Sequence, residues 1–367
     1  MKVCTITCHD VYNHGASLQA YGLMTYLKNN GHDVEIIDYK PNYLGNLYNM
    51  LSVDNPRWEK NLITKWAYIT LKAPIKIRSL KRKRAFDKFT KERLKVTERT
   101  YTNNEELKEN TPQADAYLCG SDQIWNSLHK NGRDPAFYLD FVPDNKIKAS
   151  YAASMAIDKV PDECVDLVKS KVSRLDKVAL RESSGVRVLK GLGIDNAIQV
   201  VDPALLLDHK EWSKISECKF NEKFILVYDF DRSSVIEKVA KDIAKAKGYK
   251  IYTLNIDKPD YSDKSFRYSG PQTFISLVKH AEFVVSNSFH AAIFSLIFKK
   301  NFNIVNRTEA INTRMRDLLT DLNIGERLIG ADYKVEELIK DIDYSKVDKI
   351  LNEKIEFSKK YLEELLA

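Results

Sequence analysis

The residue best suited to proton chemistry is His290, within EFVVSNSFHAAIFSLIFK at 282–299. An imidazole exchanges protons near neutral pH, and its neighbours indicate where it would do so. Phe283-Val284-Val285 reads as a short buried strand, and Ser286-Asn287-Ser288 is a polar knot. The apolar run from Phe289 to Phe298 is too long for another short strand and suits a buried helix. Asn287 or Ser288 can cap that helix, which puts His290 in its first turn at the carboxyl end of a strand. Free N–H groups and the positive end of the helix dipole attract anions there. Ligands of open α/β sheets sit at such edges. The competing reading is a histidine that only packs against the next strand, and position alone does not separate the two.

Other polar groups fall at strand ends. Gly15 beside Asn13 would let backbone amides approach an anion, although the spacing is not GxGxxG and gives no dinucleotide site. Gly120-Ser121-Asp122, followed by Trp125, carries side chains that could meet a sugar, since indole faces stack on sugar rings. The alternative is that Asp122 caps a helix and Trp125 is core. Arg181-Glu182 ends another strand, with Ser183-Ser184 poised to cap the next helix. Asp202 before Pro203 reads as turn structure. No metal-type ligand spacing is present, and no metal is expected.

Positioning these groups calls for alternating strands and helices. KVCTITC at 2–8, VEIID at 34–38, AYLCG at 116–120, KASYAAS at 148–154, VALRE at 178–182 and AIQVVDP at 197–203 read as strands, with a helix over 18–29. A second series follows: FILVYDF at 224–230, KIYTLNI at 250–256, FRYSG at 266–270, EFVVS at 282–286 and NFNIVNR at 301–307. Helices are expected at 234–247, 271–280, 289–299 and 312–322. The fold class is α/β, two Rossmann-like domains facing a cleft. Residues 1–210 form the first domain, residues 211–335 the second, and residues 336–367 a C-terminal amphipathic helical tail. Residues 41–112 interrupt the first domain as a basic helical insertion, with helices at 58–71 and 75–94.

At 367 residues, 44% hydrophobic and 30% charged, the chain is long enough for two cores. No run approaches the ~20 apolar residues of a membrane span. The N-terminus lacks a signal-peptide layout, and five cysteines without pairing or metal spacing suit a reducing, cytoplasmic location. The formal charge of +7 favours an anionic partner without requiring nucleic acid, and no stacking-aromatic motif for nucleic acid is present. Lys76, Arg78, Lys81, Arg82, Lys83, Arg84 and Lys88 interleave with Ile77, Leu80, Phe86 and Phe89. This run is either a solvated helix face or a peripheral contact with an anionic membrane surface.

Taken together, Asn13-His14-Gly15-Ala16-Ser17-Leu18-Gln19, Gly120-Ser121-Asp122-Gln123-Ile124-Trp125-Asn126, Ser150-Tyr151-Ala152-Ala153-Ser154, Arg181-Glu182-Ser183-Ser184, Val201-Asp202-Pro203 and Ser286-Asn287-Ser288-Phe289-His290-Ala291-Ala292-Ile293 resemble the polysaccharide pyruvyl transferase family. The resemblance spans about residues 3–320. It implies a GT-B-like fold and transfer of a pyruvyl group from phosphoenolpyruvate onto two hydroxyls of a sugar. The product is a cyclic ketal on a surface polysaccharide or its lipid-linked precursor, formed without a cofactor. It further implies His290 as proton donor and acceptor and Arg181 as the grip on the donor. On this reading Asn13, Gly15, Ser288 and Phe289 would help bind the donor, and Ser121, Asp122 and Trp125 would face the acceptor. The sequence departs from the family pattern at one place: Ser288-Phe289-His290 stands where Arg-Leu-His is usual, a form resembling a large bacterial branch of the family. Arg307 or Arg314 could replace the missing cation. Nucleotide-sugar transfer on the same fold and non-catalytic glycan binding are the competing functions.

Overall fold

The computed structural model describes residues 1–44, 61–255, 257–309 and 311–367, without the side chains of residues 62, 63 and 74–76. The start of the expected 58–71 helix, part of the 41–112 insertion and the last position of the 250–256 strand lie outside the described residues.

Two parallel sheets organise the chain. The strands of the first sheet are β1 (Lys2–Ile6), β2 (Asp33–Tyr39), β3 (Val96–Tyr101), β4 (Ala116–Cys119) and β5 (Ile147–Ser150), in the order β3-β2-β1-β4-β5. A short parallel pair, β6 (Val178–Leu180) and β7 (Ala197–Gln199), continues beyond β5 through bridges at Ala149–Lys177 and Ala153–Leu180. The second sheet contains β8 (Phe224–Tyr228), β9 (Lys250–Thr253), β10 (Lys264–Ser265), β11 (Phe283–Ser286), β12 (Asn301–Val305) and β13 (Leu328–Ile329). Their order is β10-β9-β8-β11-β12-β13, all parallel. In both sheets the order reverses beside a central strand, so each leaves a crevice at its carboxyl edge. Central strands such as β8 and β11 are buried along their whole length, as sheets covered on both faces require.

Strong local signals set some helix limits. Ser233 caps Ser234–Lys247 through its side chain, and Gly248 ends it with φ +69°. Pro271 occupies the first turn of Pro271–His280, where it has no helical N–H to withhold. Elsewhere the structure corrects the sequence reading. The first helix runs from His14 to Asn29, four residues earlier than expected, because Asn13 accepts from the Ala16 N–H. Residues 62–93 form one helix rather than two. The 41–112 insertion also contains β3, whose polar VTERTY pattern belongs to a sheet edge and masks the strand in the sequence. FRYSG contributes no strand, since β10 ends at Ser265.

The lobes are joined by buried polar contacts as well as apolar packing. Burial, reinforced by the charge of Arg82, holds His14 well below the usual imidazole range. It is therefore neutral, so Nε2–H donates to the Ser269 carbonyl at 3.3 Å and Nδ1 accepts from the Tyr228 hydroxyl at 3.0 Å. The C-terminal helix Tyr344–Leu365 crosses back to the first lobe, where Tyr361 donates to the Ser150 carbonyl and Ser358 accepts from the Val201 N–H. Among the described residues no helix is long and apolar enough to cross a membrane.

Candidate functional site

His290 is held by the turn that the sequence singles out. Ser288 caps the helix Phe289–Ile297 by accepting from Ala291 N–H at 3.4 Å. Asn287 fixes the preceding turn, donating to Asp229 at 2.8 Å and accepting from the Phe230 N–H at 3.0 Å. The ring is nearly buried and pressed against the first lobe. A methyl group on Gly15 would fall 2.0 Å from His290 Nδ1, so only glycine lets the start of the Asn13-capped helix come this close. Asn13 spends its side chain on that cap and Gly15 lies against the ring, which fixes the places of both expected anion-site residues.

His290 Nε2 lies 3.5 Å from Asp202 Oδ2 and has no hydrogen-bond partner among the described residues. Asp202 is fully buried and accepts from Arg181 Nη1 at 2.8 Å and from the Ala204 N–H at 3.0 Å. Burial alone would raise its carboxyl. The neighbouring His290 and the Arg181 guanidinium, with the Ala204 N–H bond, instead hold it below the usual carboxylate range. Asp202 is thus more than the turn residue its Asp-Pro setting suggested. Only tertiary contact reveals this, because its partners are 21 and 88 positions away in sequence.

Arg181 also donates to Ser121 Oγ at 3.3 Å, while its Nε and Nη2 find no hydrogen-bond acceptor among the described residues. Glu182 Oε2 is 3.9 Å from Arg181 Nε, but Glu182 is committed through Oε1 to Ser154 Oγ, Met155 N–H and Ala156 N–H. Arg314 approaches from the other lobe. Its guanidinium makes no hydrogen bond or ion pair with a described residue, and burial, with Arg181 nearby, lowers it to about 10. The Phe289 ring lies between the two cations, 4.3 Å from Arg181 Cζ and 5.6 Å from Arg314 Cζ. Arg307, the other candidate for the missing family cation, is engaged with Asp231 and Glu309.

Asp317, on the same helix as Arg314, binds the first lobe. Its carboxylate accepts from Ser184 N–H at 2.7 Å and Ser183 Oγ at 3.2 Å, satisfying the first turn of the helix Ser183–Gly191. The expected cap from the serines themselves is absent, and a residue of the second lobe supplies it. Between the lobes lies a cavity of about 320 Å³ whose walls include Arg181, Asp202, Phe289 and Arg314. His290 sits one layer behind Asp202 rather than on the wall.

The expected acceptor residues do not stay together. Trp125 is fully buried, stacked on Tyr138 at 5.4 Å, with its indole N–H donating to the Phe137 carbonyl. It is a core residue and has no face to offer a sugar. Ser121 is also fully buried, its hydroxyl donating to the Ala152 carbonyl at 2.7 Å, so it supports Arg181 instead of meeting solvent. Asp122 alone keeps partial exposure, and its charge is felt by Arg314. No group of acidic, histidine and cysteine residues suited to a metal ion is present among the described residues.

One family profile, described as polysaccharide pyruvyl transferase, matches residues 13–308. The chain belongs to the polysaccharide pyruvyl transferase family. Membership makes it a transferase with a pyruvyl-transfer role on polysaccharide. No curated protein matches the sequence. Among solved structures, UDP-N-acetylglucosamine 2-epimerase from Rickettsia bellii aligns over 100% of this chain and 96% of its own, with 13% identity and a TM-score of 0.52. Arabidopsis thaliana UGT89C1 complexed with quercetin aligns over 100% and 99%, at 9% identity and TM-score 0.48. The epimerase likeness is one of fold, the GT-B arrangement of two facing α/β lobes.

Proposed function

We propose that the protein transfers a pyruvyl group from phosphoenolpyruvate to two hydroxyls of a sugar, forming a cyclic ketal on a surface polysaccharide or its lipid-linked precursor. The observation that carries this reading is the pair of buried guanidiniums, Arg181 and Arg314, with unsatisfied N–H groups on a cavity wall beside the His290–Asp202 pair. A donor bearing a carboxylate and a phosphate supplies the acceptors those groups lack. Arg314 then takes the place of the usual family arginine, for which Ser288 stands in this sequence.

In this mechanism His290 protonates the donor's methylene carbon and leaves an oxocarbenium-like centre at C2. The first sugar hydroxyl bonds to C2 and returns a proton to the imidazole. The C2–O bond to phosphate then breaks, the second hydroxyl closes the ketal, and its proton leaves with the phosphate. Asp202 stays ionised and steadies the imidazolium as it forms. His290 Nε2 is buried beside Asp202, so reaching the donor's methylene carbon requires the ring to turn away from Asp202. Asp122 is assigned to the acceptor side. We place the reaction in the cytoplasm, with the outward face of the helix Leu62–Arg93, bearing Arg84 and Lys88, meeting an anionic membrane surface.

A phosphate-release assay with candidate glycans and phosphoenolpyruvate tests the reaction. A thermal-shift comparison of phosphoenolpyruvate, UDP and CMP tests the donor, because a ligand that binds only the folded state raises its melting temperature. Stabilisation by phosphoenolpyruvate alone is expected. Stabilisation by UDP or CMP alone would move the assignment to nucleotide-sugar transfer, and no response to any of them would favour a glycan-binding role.

A further inference from the structure

The cavity that reaches Arg181 and Arg314 does not end there. It extends beneath the C-terminal helix along a wall of Leu205, Ile293, Leu318, Leu322, Ile350 and Phe357. At about 320 Å³ it lies within the ~300–1,000 Å³ range of sites that enclose drug-sized ligands. A three-carbon donor with one phosphate would occupy only the cationic end. The remaining lining is largely apolar: among its charged members, Glu353, Lys354 and Asp321, Lys354 Nζ is neutralised by Asp321 at 3.1 Å. The site therefore combines two nine-tenths-buried cations lacking full sets of partners with an aliphatic arm leading away from them.

We infer that this cavity binds anions carrying an aliphatic chain, the head group on Arg181 and Arg314 and the chain along the arm, and that such amphiphiles exclude the donor. The inference rests on the two arginines as an anion site and not on the identity of the donor. Charge complementarity selects a phosphate or carboxylate head. The Leu and Ile side chains select a flexible alkyl chain, which gains about fourfold in affinity for each buried methylene, from ~0.8 kcal/mol each. Phe357 is half exposed at the mouth of the arm, where a longer chain would emerge.

The test is a calorimetric titration of the full chain with n-alkyl phosphates of two to ten carbons, each below its micelle concentration, with and without saturating phosphoenolpyruvate. Affinity is expected to rise roughly fourfold per carbon and then level off as the arm fills. Phe357→Asp and Ile350→Asp, at an exposed and a half-buried position, should weaken the long chains at least tenfold and leave ethyl phosphate unchanged. A flat series would overturn the inference. So would a steep series untouched by both substitutions, or binding that phosphoenolpyruvate does not weaken although the donor itself binds. A steep, substitution-sensitive series in a protein that ignores phosphoenolpyruvate would uphold the amphiphile site and remove the proposed donor. Failure of every titrant would remove both.

Discussion

Two histidine–aspartate pairs stand at the carboxyl edges of the two sheets, and they are built to opposite ends. His9, just beyond β1, meets Asp38 Oδ1 at 3.1 Å through Nε2 and the Thr7 carbonyl at 3.4 Å through Nδ1. Asp38 is also held by Thr100 and Lys40. Burial would raise its carboxyl, but these bonds and the one from His9 bring it down to about 2. Every polar atom of that pair has a partner. His290 and Asp202 are as deeply buried, yet His290 Nε2 meets Asp202 only at 3.5 Å, Arg181 Nε meets Glu182 only at 3.9 Å, and Arg181 Nη2 and Arg314 Nε have no hydrogen-bond partner among the described residues. A buried donor without an acceptor costs about 1–3 kcal/mol, a cost that a ligand supplying acceptors would relieve. On the proposed function the closed pair is structural and the open pair is a site.

Substituting each histidine in turn should break the symmetry most sharply. His290→Ala is expected to lower transfer about 10²–10⁴-fold, the usual range for a general acid–base group, with the fold retained on circular dichroism. His9→Ala should leave kcat within a few-fold and lower the melting temperature. Matching kinetics for the two variants would erase the distinction. The arginines sharpen the same contrast. Arg181→Met strands Asp202 without its ion-pair partner and should cost about 3–5 kcal/mol in chemical denaturation. Arg314→Met removes a buried charge that pairs with nothing and should hold or raise the melting temperature. Both should raise the donor KM by tenfold or more, as expected from ~1.5–3 kcal/mol per hydrogen bond to a charged group.

Gly15→Ala tests the approach of the lobes at the open pair. A methyl group 2.0 Å from His290 Nδ1 must displace the ring or the helix start, so activity should fall further than stability. The smallest effect expected is that of His14, whose imidazole is neutral in the fold because burial, with help from Arg82, lowers its pKa from 6.5. The unfolded chain takes up that proton more readily, so the stabilisation is complete above about pH 6.5 and is lost as the pH falls. The slope approaches ~1.4 kcal/mol per pH unit. Denaturation of His14→Gln between pH 7 and 5 should show a correspondingly shallower loss, and an unchanged slope would assign it to other groups.

Much of the architecture is legible in the sequence because its signals are local. Ser233 with Gly248, and Pro271, delimit helices without help from elsewhere. The Ser288 cap and the strand before it place His290 correctly. What is not legible depends on partners distant in the chain. Asp202 looks like turn chemistry until His290 folds onto it, and Gly15 looks like a glycine that admits an anion to backbone amides until the same ring fills its missing Cβ position. Trp125 carries the type but not the setting of a sugar platform, since Tyr138 and the Phe137 carbonyl consume both its face and its N–H. Arg307 and Arg314 are equivalent candidates by sequence and are separated only when Asp231 claims the first.

Calorimetric titration of phosphoenolpyruvate into the wild-type chain and into Arg314→Met tests most directly that the unsatisfied cations form the donor site. Saturable binding to the wild type, weakened at least tenfold in a variant that melts no lower, is the result predicted. Equal affinity in the two proteins, or no binding to the wild type, would contradict it.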